Sequence, residues 1–147
     1  MLHKLNLEGF DGGTKWCGPS AVSILTGRPL AHTTAMMAYA EDIPYDEVGG
    51  VWREDAVLML HTLGYRCVPI DMVSRFSDTE CGPTLKRFWE ERRMDEVINP
   101  LLIEIHGHLL TSHYGFAADN WTGGPVPLAS FPKQRRLVKW AGVVTKM

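Results

Sequence analysis

Apolar residues recur at helical spacing in the first part of the chain and at alternate positions in the second. Ala21, Val22, Ile24 and Leu25 predict a short helix over residues 20–25, stopped by Thr26-Gly27-Arg28-Pro29. Pro19 suits its first turn, where a missing N–H costs nothing. Residues 33–40 read as a second helix. The clearest helical pattern covers residues 51–63, with Val51, Ala56, Val57, Leu58, Leu60 and Leu63 on a broad apolar face. Gly64 stands where a left-handed C-cap would end it. Residues 65–70 read as a strand. Residues 83–93 read as a further helix, with Leu85, Phe88 and Trp89 opposite a charged face, and residues 94–99 are expected to break it.

From Pro100 the period becomes two. Leu101, Ile103 and Ile105 point one way, while Leu102, Glu104 and His106 point the other. Gly107-His108 reads as an interruption, after which residues 109–112 continue the strand. His113-Tyr114-Gly115 suits a tight hairpin turn, and residues 116–119 form the return strand. A Gly/Pro-rich loop over residues 120–132 leads to a last strand at 137–144. Helices followed by an antiparallel sheet give an α+β fold class, and residues 1–147 are expected to form one domain.

Composition narrows the function classes. The chain has 147 residues, 45% apolar and 22% charged, which excludes a disordered polymer. Fifteen basic residues against 17 acidic ones leave a net charge of −2, with no clustered basic excess for nucleic acid or a lipid surface. Arg92-Arg93 and Arg135-Arg136 are short pairs that fit solvated faces. No apolar run is long enough to cross a membrane, and the first residues lack a signal-peptide pattern. The expectation is a protein of the cytoplasm, without partners among nucleic acids or membranes. Three cysteines, Cys17, Cys67 and Cys81, with no C-x-x-C, argue for free thiols rather than disulfides. Cys67 falls in an apolar strand and fits a core. Cys81 sits in a polar loop with no base in evidence.

Cys17 is the thiol with a chemical setting. It stands at the start of a predicted helix, where unpaired N–H groups and the helix dipole favour a thiolate. A nucleophilic thiol needs a base, and the base needs an orienting group. His108 and Asp119 are the best candidates: they flank a predicted hairpin whose adjacent strands could bring them close, although neither position follows from spacing alone. His113 is the rival base, though it sits in the predicted turn. His106, one residue before the Gly-His break, reads as a structural or solvent-facing residue beside the cleft. Asn120 is the alternative orienter. His106, His108 and His113 also invite a metal reading, but no partner stands at zinc spacing, so no metal and no cofactor are expected. Trp16 and Trp121 adjoin these residues and are candidates for the wall of a substrate groove.

Lys15-Trp16-Cys17-Gly18-Pro19-Ser20-Ala21-Val22 resembles the nucleophile segment of papain-like cysteine hydrolases. It is most similar to small members related to bacteriocin-leader peptidase domains. Leu25-Thr26-Gly27-Arg28-Pro29 resembles the helix end of phage and prophage members. Gly107-His108-Leu109-Leu110, Gly115 and Asp119-Asn120-Trp121 are similar to their Gly-His, hairpin-glycine and Asp-Asn-Trp pattern. The resemblance implies a papain-like fold and a Cys17-His108-Asp119 triad that cleaves a peptide, isopeptide or related amide bond through a thioester. It also implies a peptide or protein substrate, and a host-cell cytoplasm or virion setting. Amidase, deamidase or transglutaminase-like acyl transfer would use the same triad. A catalytically silent binding module is the reading from another class.

One position departs from the family pattern. Members usually place Gln six residues before the nucleophile, where its amide lines the oxyanion hole, and Asp11 stands there in this chain. A carboxylate repels a developing oxyanion. Asn6, Thr14 or the backbone N–H of Cys17 are the candidate replacements. Only 16 residues precede Cys17, so no long pro-segment is expected.

Overall fold

Helix α1 (Cys17–Thr26) has nine of its ten residues buried, so the rest of the chain is built around it. The computed structural model describes residues 1–11, 14–50 and 53–147. Small residues at Gly18, Ser20 and Ala21 let neighbouring elements approach α1, and Val22, Ile24 and Leu25 fill the space between them. Gly27 closes the helix in the left-handed conformation (φ 79°), donating its N–H to the Ser23 carbonyl at 2.8 Å. Helices α2 (Leu30–Glu41) and α3 (Arg53–Thr62) pack against α1. A 3-10 turn, Tyr45–Glu47, lies between them.

The chain then forms strand β1 (Tyr65–Pro69) and three short helices, α4 (Met72–Arg75), α5 (Leu85–Glu90) and α6 (Met94–Ile98). Four strands follow, β2 (Leu101–Ile105), β3 (His108–His113), β4 (Phe116–Ala118) and β5 (Val126–Pro127), and then a second 3-10 turn, Leu128–Ser130. Strand β6 (Val138–Lys146) ends the fold. The six strands form one antiparallel sheet in the order β1-β6-β2-β3-β4-β5. The arrangement is α+β, with six α-helices among the described residues. None of them is long and apolar enough to cross a membrane.

The alternation expected in β2 separates two hydrophobic clusters. Leu102 joins Leu109, Ala118 and Val144 under α1, α2 and α3. Leu101, Ile103 and Ile105 join Leu110, Ala117, Val138 and Ala141 against Phe76, Leu85, Phe88, Trp89 and Phe131. Trp89 and Phe131 meet edge to face at 5.7 Å, a favourable arrangement for two ring quadrupoles. The sheet is therefore covered on both faces.

Several elements differ from the sequence reading. Helix α1 reaches back to Cys17, because the Gly-Pro pair fits a first helical turn. The helix expected over residues 51–63 runs from Arg53 to Thr62, and Val51 and Trp52 lie outside the described residues. Gly107 does not interrupt one long strand. It turns a second hairpin (φ 69°) that joins β2 to β3, and His108 opens β3. Residues 94–98 are a helical turn, not a break. The Glu96 carboxylate accepts the N–H of Arg93 at 2.9 Å and meets the Arg75 guanidinium at 2.5 Å, which satisfies the start of that turn.

One irregularity falls between β2 and β6. Glu104 pairs with Trp140, but Ile105 pairs with Val138, leaving Lys139 as an extra, unpaired residue. This is a β-bulge, which bends its strand and re-aims a side chain.

Candidate active site

Trp16 takes extended backbone (φ −73°, ψ 148°) at the N-cap of α1 and offers no side-chain cap. Its carbonyl accepts the first helical bond, from Ser20 N–H at 3.1 Å. The approach to the helix is held by a residue far away in sequence. Asn120 donates its side-chain amide to the Lys15 carbonyl at 2.8 Å. Cys17 is thus the first residue of a buried helix and is itself 9% exposed. The N–H groups of a first turn have no acceptor within their own helix, and the dipole adds partial positive charge there.

His108 stands at the start of β3, directly after the Gly107 turn. Its Nε2 lies 2.8 Å from Asp119 Oδ2, and its ring is hydrogen-bonded to the Cys17 thiol. Asp119 follows β4 and is 1% exposed. The β3–β4 hairpin, paired through Thr111–Ala118 and Ser112–Ala117, sets the two residues side by side. Asp119 Oδ1 accepts the N–H groups of Trp121 and Thr122, both at 2.9 Å. The Thr122 hydroxyl oxygen accepts Asp119 N–H at 2.9 Å, so the carboxylate is locked in its own turn. Lys133 Nζ approaches Asp119 Oδ2 at 3.5 Å.

The electrostatics follow from these contacts. Burial works against an imidazolium at His108. The ring's hydrogen bonds with the Asp119 carboxylate and with Cys17 outweigh it and raise the ring above its ordinary value, while the Lys133 charge pulls the other way. Burial likewise disfavours the Asp119 carboxylate. The hydrogen bonds from His108 and Thr122, helped by the His108 and Lys133 charges, hold it below the usual range. An ionised Asp119 requires a proton on His108 Nε2. In the neutral ring the lone pair is then on Nδ1, the nitrogen left for the thiol. That is the state a general base requires.

Cys17 and His108 line a cleft of about 360 Å³ together with Arg53, Glu104, His106, Leu109 and Lys139. The other sequence candidates stand elsewhere. Trp16 and Trp121 do not line this cleft, and Trp121 is 73% exposed. What Trp121 supplies to the site is its backbone N–H. Asn120 does not orient His108, because its amide is committed to Lys15. Asn6 accepts Glu8 N–H on Oδ1 at 3.0 Å, and its carbonyl takes Leu30 N–H at the start of α2. Asp11 and Thr14 are exposed. Asn6, Asp11 and Thr14 are all absent from the cleft lining.

His113 is buried on β3 and donates Nε2–H to the Ile98 carbonyl at 2.8 Å, and burial lowers its pKa. Cys67 is half-buried, and desolvation pushes its thiol up to about 11. Cys81 is exposed. Among the described residues, no three His, Cys, Asp or Glu side chains gather as metal ligands do.

Sequence reasoning missed Thr122, Lys133, the Arg53–Glu104 pair and Lys139. The Asp-x-x-Thr spacing of Asp119 and Thr122 is a local turn signal that could have located the first. The others meet the site through tertiary packing, which no local pattern encodes. No family model, curated protein or solved structure matches the chain.

Proposed function

We propose that this chain is a cysteine hydrolase with a papain-like fold, acting on a peptide, isopeptide or related amide bond. The observation that carries the reading is His108, held between the Cys17 thiol at a helix N-terminus and the buried Asp119 carboxylate. His108 Nδ1 takes the thiol proton, and the Cys17 sulfur attacks the substrate carbonyl. Collapse of the tetrahedral intermediate breaks the C–N bond, and His108 returns the proton to the leaving amine. Water, deprotonated by His108, cleaves the thioester to release the acid and restore the thiol. Asp119 holds the ring and offsets its positive charge. The Cys17 N–H, in the first turn, is the backbone donor best placed for the oxyanion.

A silent binding module is the second reading. It is favoured by Asp11 at the usual amide position and by the engagement of the Asn6 side chain with Glu8. Iodoacetamide labelling between pH 4 and 9, mapped by mass at each cysteine, separates the two. A hydrolase labels at Cys17 below pH 7, faster than at exposed Cys81, and loses at least about tenfold in rate in His108→Ala. A Cys17 profile centred near the free-thiol value of about 8.5 and indifferent to His108 would establish the silent module instead.

A further inference from the structure

The walls of the cleft carry charges that the acyl-transfer chemistry does not use. Arg53 Nη1 meets Glu104 Oε1 at 2.7 Å, and the guanidinium lies over Trp140, 5.4 Å from the ring centroid. Among the described residues, Glu104 is the only carboxylate lining the cleft, and this ion pair offsets its charge. Glu54 also touches Arg53, at 3.6 Å, but its side chain is 69% exposed and largely screened by water. Lys139 is different. Among the described residues it makes no ion pair, and it lines the same cleft as Cys17 and His108.

Its position comes from the bulge in β6. In regular pairing, the residue beside Val138 would have a cross-strand partner on β2. The extra residue leaves Lys139 without one, at the end of the sheet where the His106-Gly107 turn closes the cleft. Bulges at sheet ends commonly aim a side chain at a site. The same lysine also lines a second groove, beside Phe76, Cys81 and Gly82, so it stands where the two depressions adjoin.

We propose that Lys139 is a specificity-determining residue that selects substrates carrying a carboxylate close to the scissile carbonyl. The inference rests on the hydrolase reading of the same cleft. Lys139 is an exposed residue of the cleft lining, and an ammonium group there raises the local concentration of anions to an extent that salt screens. Here the Glu104 charge that would cancel it is already paired with Arg53. The carboxylate is that of an Asp or Glu side chain, or of a chain terminus.

The test compares iodoacetate with iodoacetamide at Cys17. Both reagents need the thiolate, so their rate ratio cancels the thiolate fraction and reads the charge preference of the cleft. Exposed Cys81, on the same molecule, serves as reference. The expected ratio at Cys17 falls about threefold in Lys139→Met and about tenfold in Lys139→Glu, and the differences shrink in 0.5 M NaCl. Far-UV circular dichroism checks that each variant is folded. An unchanged ratio in both folded variants overturns the proposal while leaving the hydrolase reading intact. Failure of the hydrolase reading shows separately, as His108-independent labelling of Cys17.

Protection of Cys17 against iodoacetamide then identifies the source of the carboxylate. N-acetyl-Ala-Glu-Ala-amide protecting better than its Gln counterpart points to a side chain. N-acetyl-Ala-Gln-Ala with a free terminal carboxylate protecting better than its amide points to a chain terminus.

Discussion

Asp119 Oδ2 faces two donors, His108 Nε2 at 2.8 Å and Lys133 Nζ at 3.5 Å, and only the first belongs to the proposed reaction. Lys133 lowers His108 and helps to keep Asp119 ionised, so it tunes the base from behind. Lys133→Met is expected to raise the His108 pKa, read by NMR titration of the ring; a fall would remove Lys133 from this role. Asp119→Asn acts in the opposite direction, because it removes the strongest contact that raises His108. The pair also shapes stability against pH. Asp119 is depressed, so its contribution is present above the unfolded value and is lost as pH falls through the folded one. His108 is raised, so its contribution is complete below the unfolded value and is lost as pH rises through the folded one. Wild-type stability should therefore be favoured between those two folded values. Asp119→Asn should flatten the profile and lower stability within it by about 1–3 kcal/mol, measured by urea unfolding at several pH values. A profile unchanged in shape would mean that the pair is not coupled to folding. The two side chains of this pair were legible in the sequence only through the predicted hairpin taken together with the Gly107-His108 and Asp119-Asn120-Trp121 motifs, since spacing alone fixes neither position. Lys133 was not, since it reaches Asp119 from a segment beyond β5.

Strand β6 is shaped by what crosses it. Gly82 lies so close that a Cβ would fall 2.4 Å from the Val138 carbonyl oxygen, and its φ of 94° disfavours any side chain. Pro83 accepts Val138 N–H at 2.8 Å immediately after it, and Thr84 bridges to Leu137. This crossing pins the strand one residue before the Lys139 bulge. Gly82→Ala should cost about 1–3 kcal/mol for the backbone conformation, with the carbonyl clash added to it. Gly115→Ala, which meets nothing within 4 Å and has no positive φ, should change stability by no more than about 0.5 kcal/mol. Equal melting temperatures for the two variants would show that the crossing does not constrain β6. At this scale, sequence patterns found helices whose apolar faces repeat, as in α3, and strands that alternate, as in β2. They missed α6, which depends on the Glu96 carboxylate and its contact with distant Arg75. They read Gly107 as a flaw because a glycine within an apolar stretch does not reveal whether the chain reverses there.

The sheet has two cores and one site, and the site draws on both. Cys17 comes from α1 in the cluster with Leu102, whereas Lys133 follows Phe131 in the cluster with Ile103. His108 opens β3 and Asp119 follows β4, strands whose side chains supply both clusters, through Leu109 and Ala118 on one side and Leu110 and Ala117 on the other. Both clusters are built on the same strands, β2, β3, β4 and β6, so unfolding of either is expected to carry the other with it. Leu102→Ala and Ile103→Ala, both fully buried, should each cost about 2–5 kcal/mol. Each should shift one cooperative urea transition, whether followed by tryptophan fluorescence or by His108-dependent labelling of Cys17. A Leu102→Ala variant that loses the Cys17 reactivity at lower urea than the fluorescence change would separate the cores. The helical half would then unfold as a unit of its own, and the reactive pair would depend on α1 seating against a sheet that survives without it.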